Sequence, residues 1–120
     1  MVSREIFYNM KDSGLKKENI KRIREVLAGY DQVEKGLLYG SRAMGNYKPA
    51  SDIDITLIGE NIDLSLQTKI EFDLDDLMLP CKFDISIYDK ITNPDLIDHI
   101  NRVGVEIYNR KKQQHMGYIL

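Results

Sequence analysis

The spacing of apolar positions changes several times along this chain of 120 residues, and each change marks a predicted element. From Leu15 to about Ala28, Ile20, Ile23, Val26 and Leu27 recur at helical spacing, which predicts an amphipathic helix stopped by Gly29. Val33 to Tyr39 ends in the apolar run Leu37-Leu38-Tyr39 and predicts a buried strand closed by Gly40. Gly40 to Ser51 is rich in glycine, serine and proline and reads as a loop with a short helix inside it. Asp52 to Ile58 then alternates strictly, with Ile53, Ile55 and Leu57 on one face and Asp52, Asp54 and Thr56 on the other.

The second half repeats the scheme. Asp63 is placed to cap a helix whose apolar stripe is Leu66, Ile70, Leu74 and Leu77, with Pro80 as the expected break. Its acidic side, Glu71 to Asp76, reads as a solvated face. Cys81 to Tyr88 alternates again, setting Phe83, Ile85 and Ile87 opposite Asp84, Ser86 and Tyr88. Asn93-Pro94-Asp95 combines a cap, a first-turn proline and an acid at the positive end of the next helix. Gly104 stops that helix, and Val105 to Tyr108 is a short last strand. The order α-β-α-β-α-β-α-β predicts one mixed α/β domain over residues 15–109, with an arm at 1–14 and a tail at 110–120.

Composition narrows the chemistry. Hydrophobic residues are 42% and charged residues 30%, an ordinary globular balance, and the net charge of −2 argues against a bulk electrostatic binder of nucleic acid. No apolar run approaches the ~20 residues of a membrane span, and MVSREIFYNMKDSG lacks the apolar core of a secretory signal, so a cytoplasmic location is expected. The single cysteine, Cys81, excludes an intrachain disulfide and a cysteine-built zinc site, and reads as a small core residue. His99 and His115 are far apart; His99, between buried helix positions, reads as structural. Any metal must therefore be held by carboxylates.

One segment gathers the right groups. Gly40-Ser41 opens directly after an apolar strand, and ten residues later Asp52-Ile53-Asp54 opens the next one. Gly40 permits a tight turn and close approach of backbone to a ligand. A short helix beginning near Ser41 would offer free N–H groups to phosphate, Ser41 adds a hydroxyl, and Arg42 or Lys48 can neutralise phosphate charge. Asp52 and Asp54, two apart on a strand, project from the same face, and such like charges call for a cation between them. A hard divalent ion, Mg²⁺ or Mn²⁺, meets that need, with Asp84 as a third ligand if its strand lies alongside.

Gly-Ser, ten residues, Asp-x-Asp and a later strand aspartate together resemble the DNA polymerase β-type nucleotidyltransferase superfamily. The run Leu38-Tyr39-Gly40-Ser41-Arg42-Ala43 and the short length are similar to its minimal nucleotidyltransferase (MNT) members, over roughly residues 15 to 108. The resemblance implies a palm with helices mainly on one face of a mixed sheet. It implies that Gly40 and Ser41 hold the triphosphate of ATP, that Asp52 and Asp54 bind metal, and that Asp84 is the third acid, helping to activate an acceptor hydroxyl. It further implies a helical HEPN-type partner in a toxin–antitoxin pair, with the MNT member as antitoxin adenylylating a partner tyrosine. The rival expectations are a non-catalytic antitoxin that occludes its partner, and a transferase to a small molecule completed by a helical subunit.

Overall fold

The computed structural model describes residues 13–112; the remainder of the predicted arm and tail, 1–12 and 113–120 with His115, lies outside the described residues. Helix α1 (Lys17–Ala28) leads into strand β1 (Val33–Tyr39), the five-residue helix α2 (Gly40–Met44) and strand β2 (Ile53–Gly59). Helix α3 (Leu64–Asp75), strand β3 (Phe83–Ile87), a 3-10 turn (Tyr88–Lys90), helix α4 (Pro94–Val103) and strand β4 (Val105–Asn109) follow. The predicted order is the observed one, and the fold is a mixed α/β domain.

The four strands lie in the order β3-β2-β1-β4. β1 runs antiparallel to both β2 and β4, while β2 and β3 are parallel. A parallel neighbour requires a crossover, and α3 supplies it. Alternation along β2 then sorts its side chains: Ile53, Ile55 and Leu57 are fully buried and join Ile20, Ile23 and Leu27 of α1 and Ile70 and Leu74 of α3 in one core. Each such side chain taken from water contributes about 1.5–3 kcal/mol. The two long helices are tied together over that face by Arg22 Nη2, which donates to the Leu77 carbonyl (3.0 Å), and by the Tyr30 hydroxyl on Asp73.

The caps follow the expected chemistry. Asp63 Oδ1 accepts from Leu66 N at 2.8 Å, and Asn93 Oδ1 accepts from Asp95 N at 2.9 Å beside Pro94 in the first turn. The end of α3 differs from expectation. It closes at Asp75, five residues before Pro80, because Leu77 N and Met78 N turn tightly back to the carbonyls of Leu74 and Asp75. Met78 then adopts φ 59°, which reverses the chain so that Leu79 and Cys81 pack against the core.

The inner ends of the predicted arm and tail are fastened to the body. Ser13, nearly fully buried, accepts at its carbonyl from Arg42 Nη1 (2.9 Å). Arg110 donates to the carbonyls of Tyr30 (2.8 Å) and Val33 (3.3 Å). No helix among the described residues is long and apolar enough to cross a membrane.

Candidate active site

The parallel pairing of β2 with β3 sets Asp54 directly across from Asp84. Alternation puts both carboxylates on the face away from the α1/α3 core, and Asp52, one residue before β2, continues the same row. Tyr39, the last residue of β1, pairs with Asp54 from the other side. The Tyr39 hydroxyl lies 3.4 Å from Ser86 Oγ, two residues along β3 from Asp84. Asp52 and Asp84 are exposed, and Asp54 is half-buried between them.

Electrostatics registers that crowding. The Asp54 carboxyl is pushed up to about 6, first by burial and then by the charges of Asp84 and Asp52. Burial raises the Tyr39 hydroxyl as well; the hydrogen bond to Ser86 opposes this, and the Asp84 and Asp54 charges add to it. Burial disfavours the charged form of Asp54 whatever its neighbours, and the two charges that act on it, those of Asp84 and Asp52, are both negative. Oxygen donors with an excess of negative charge suit a hard divalent cation. The three carboxylates do not converge, however: among the described residues no three His, Cys, Asp or Glu side chains form a ready-made metal cluster. The set fits a metal by its chemistry and position, and a bound cation would have to draw the carboxylates inward.

The Gly-Ser turn meets this face at close range. Gly40 has φ +73°, and a Cβ built on it would sit 2.2 Å from Asp54 Oδ2, so both conformation and space demand glycine there. Ser41 is half-buried in the first turn of α2. Its carbonyl accepts from the amide of Gly45 and, at 3.1 Å, from that of Asn46, which closes α2 through a left-handed Gly45. Lys48 is exposed; its amide donates to Ser51 Oγ (2.8 Å), and Ser51 N returns a bond to its carbonyl (2.9 Å).

Arg42 corrects an expectation. As a candidate for neutralising phosphate it would need to reach solvent, yet it is only 3% exposed and its guanidinium is taken up by backbone carbonyls. Its guanidinium donates to the carbonyls of Ser51 (Nε 3.2 Å, Nη2 3.1 Å), Pro49 (Nη2 3.2 Å) and Ser13 (Nη1 2.9 Å), and Nη2 lies 3.1 Å from Cys81 Sγ. The Tyr47 ring stacks on it, 5.1 Å from Cζ. The reason is geometric: the loop after α2 brings the carbonyls of Pro49 and Ser51 onto the guanidinium, whose planar fork of donors serves both. Arg42 thus clamps the carbonyl immediately before Asp52. It also lines, with Pro49 and Cys81, a cavity of about 300 Å³ behind the turn.

Sequence reasoning underweighted His99. It projects from α4, and its Nε2 accepts from the Gly40 amide at 3.1 Å. Its ring meets that of Tyr39 edge-on at 6.2 Å. The partners are 59 positions apart, and no local pattern announces the contact. Tyr88, on the Asp84 side of β3 by alternation, instead starts the 3-10 turn and donates its hydroxyl to Asn101 Oδ1 at 2.8 Å.

Comparison with known proteins agrees with the fold. Among curated proteins none matches the chain by sequence. One chain of a toxin–antitoxin crystal structure with AMP-PNP superposes with TM-score 0.62 at 16% identity, covering 85% of this chain and 80% of that one. A complex of tri-AMPylated Shewanella oneidensis HEPN toxin with MNT antitoxin gives TM-score 0.62 at 14% identity, with coverage of 85% and 79%. The toxin–antitoxin MntA-HepT gives 0.60 at 14%, with coverage of 84% and 79%. At these identities the likeness is one of fold. The family model described as "Polymerase beta, Nucleotidyltransferase" matches residues 21–113, most of the chain, and the protein therefore belongs to the polymerase β nucleotidyltransferase family.

Proposed function

We propose that this chain is a metal-dependent nucleotidyltransferase that moves AMP from ATP onto a tyrosine hydroxyl of a helical HEPN-type protein and so acts as its antitoxin in the cytoplasm. The observation that carries the reading is the meeting of Asp54, Asp84 and Gly40. Two strand carboxylates lie in register, and the glycine turn rests against one of them. Structures of the same fold with AMP-PNP and with an AMPylated HEPN toxin support the choice of nucleotide and acceptor.

In this reading Asp52, Asp54 and Asp84 would hold Mg²⁺ or Mn²⁺. The bound cation would offset carboxylate and triphosphate charge and make the acceptor hydroxyl more acidic. Ser41 and the amides after it bind triphosphate oxygens, and the exposed Lys48 approaches them from the loop. The acceptor oxygen forms a bond to the α-phosphorus, the bond to pyrophosphate breaks in line, and Asp84, open to solvent, takes the acceptor proton. The partner would supply the wall that this open face does not provide among the described residues, because positioning contributes roughly 7–11 kcal/mol to such reactions. Residues 15–109 form the catalytic unit.

Incubating the purified pair with labelled ATP and Mg²⁺, then mapping the adduct by mass spectrometry, tests this. AMP on a partner tyrosine that is absent with Asp54→Asn is the expected result. The dispersed carboxylates favour a second reading, in which the chain occludes its partner without chemistry. Equal suppression of the partner by wild type and Asp54→Asn, with no adduct, would establish that reading instead.

A further inference from the structure

We infer that His99 is a positioning residue for the Gly40–Ser41 turn, holding the nucleotide-binding backbone in place against Asp54; this rests on the nucleotidyltransferase reading above. The hydrogen bond from Gly40 N to Nε2 fixes the tautomer, because an accepting Nε2 leaves the ring hydrogen on Nδ1. The bond also determines which amides of the turn face a ligand. The Gly40 N–H, first in the turn, is already committed to the imidazole, so triphosphate oxygens must be met by Ser41 and the residues after it.

Three features make this bond more than a packing contact. Gly40 sits in the left-handed region with Asp54 Oδ2 filling the place of a Cβ, so a small rotation of the turn changes the spacing between Ser41 and the carboxylate. Tyr39, immediately before the turn, is held on both sides, by the His99 ring edge at 6.2 Å and by Ser86 Oγ at 3.4 Å. The imidazole itself is carried on a well-anchored helix, with Ile100 buried beside it, the Asn93 cap at one end and Tyr88 bonded to Asn101. α4 thus transmits a rigid reference to the turn, and His99 is its point of contact. The residue touches neither phosphate nor metal in this account; it acts through Gly40.

The experiment compares wild type with His99→Ala and His99→Gln, the second retaining an acceptor that can reach the Gly40 amide. Amide hydrogen exchange at Gly40 in the nucleotide-free protein is expected to be slow in wild type and His99→Gln and at least tenfold faster in His99→Ala. Calorimetric affinity for ATP with Mg²⁺ is expected to fall about tenfold or less in His99→Ala, the scale of one lost hydrogen bond. His99→Gln should recover most of it. Gly40 exchange unchanged in His99→Ala overturns the inference. So does an alanine variant that binds ATP as well as or better than wild type, or a glutamine variant no better than alanine. Should wild type bind no ATP at all, the functional reading fails on its own, and Gly40 exchange still decides whether His99 holds the turn.

Discussion

The two faces of β2 are built from alternate residues of the same seven, and they follow opposite rules. On one side Ile53, Ile55 and Leu57 are sealed under α1 and α3 with no contact to water. On the other, Asp54 faces Asp84 and Asp52, and its own charge is disfavoured by where it sits. The first face gains free energy from everything it buries. The second holds like charges together at a cost, and only the rigidity of the first keeps them there. Stability and chemistry are thus separated by one position along a single strand, and substitutions on the two sides should have opposite signatures.

The largest effect is expected on the sealed side. Ile55→Ala removes a side chain with no exposure and should cost about 2–5 kcal/mol of stability, read as a fall in the denaturant midpoint. Ligand affinity measured on the folded fraction should hardly change; a specific loss of ATP binding at full stability would break the separation. On the open side Asp54→Asn should do the reverse. Nucleotide transfer is expected to drop at least 10²-fold, about 2.7 kcal/mol or more, because a group aimed at reaction charge has gone. The melting temperature of the metal-free variant at pH 7 should nevertheless rise.

A third test lies where the faces meet. Arg42→Lys keeps a positive charge but cannot serve the Ser51, Pro49 and Ser13 carbonyls together, and should cost about 1–3 kcal/mol of stability. A variant as stable as wild type but deficient in ATP binding would return Arg42 to the role of phosphate ligand. The smallest effect sharpens the argument through pH. A carboxyl raised to about 6 contributes stability that is fully present below its unfolded value near 4 and is lost as pH rises through 6. For so partly solvated a group the amplitude is about 1 kcal/mol. The stability advantage of Asp54→Asn should therefore be present at pH 7, vanish near pH 4, and be reversed by saturating Mg²⁺. Melting curves across pH with and without Mg²⁺ measure it.

Much of the fold was legible because it is local. Alternation from Asp52 to Ile58 assigns both faces of β2, and the Asn93-Pro94-Asp95 start is realised bond for bond. That Asp84 stands beside Asp54 required the strand pairing, which no period along the chain can state. Arg42 was illegible for a related reason: a cation next to a glycine turn has the same appearance whether it reaches outward to phosphate or inward to carbonyls. The choice was made by the backbone of residues 49–51 folding over it. The contact of His99 with Gly40 is likewise a tertiary fact, as is the early end of α3, where Met78 reverses the chain before Pro80 has any say.

The parallel pairing of β2 with β3 also bears on how the molecule comes into being. Asp54 belongs to an antiparallel pair with β1, whose strands are joined through the short turn and loop of residues 40–52. Asp84 reaches it only after the chain has crossed through α3 and returned, the kind of non-local closure that is slow because its entropy must be lost before any contact offsets it. The carboxylate row is therefore expected to be completed late in folding. A partly folded chain with its hydrophobic helix and antiparallel strands would lack an assembled acid row, so, on the metal-dependent reading proposed above, a divalent ion would find its ligands together only in the finished domain.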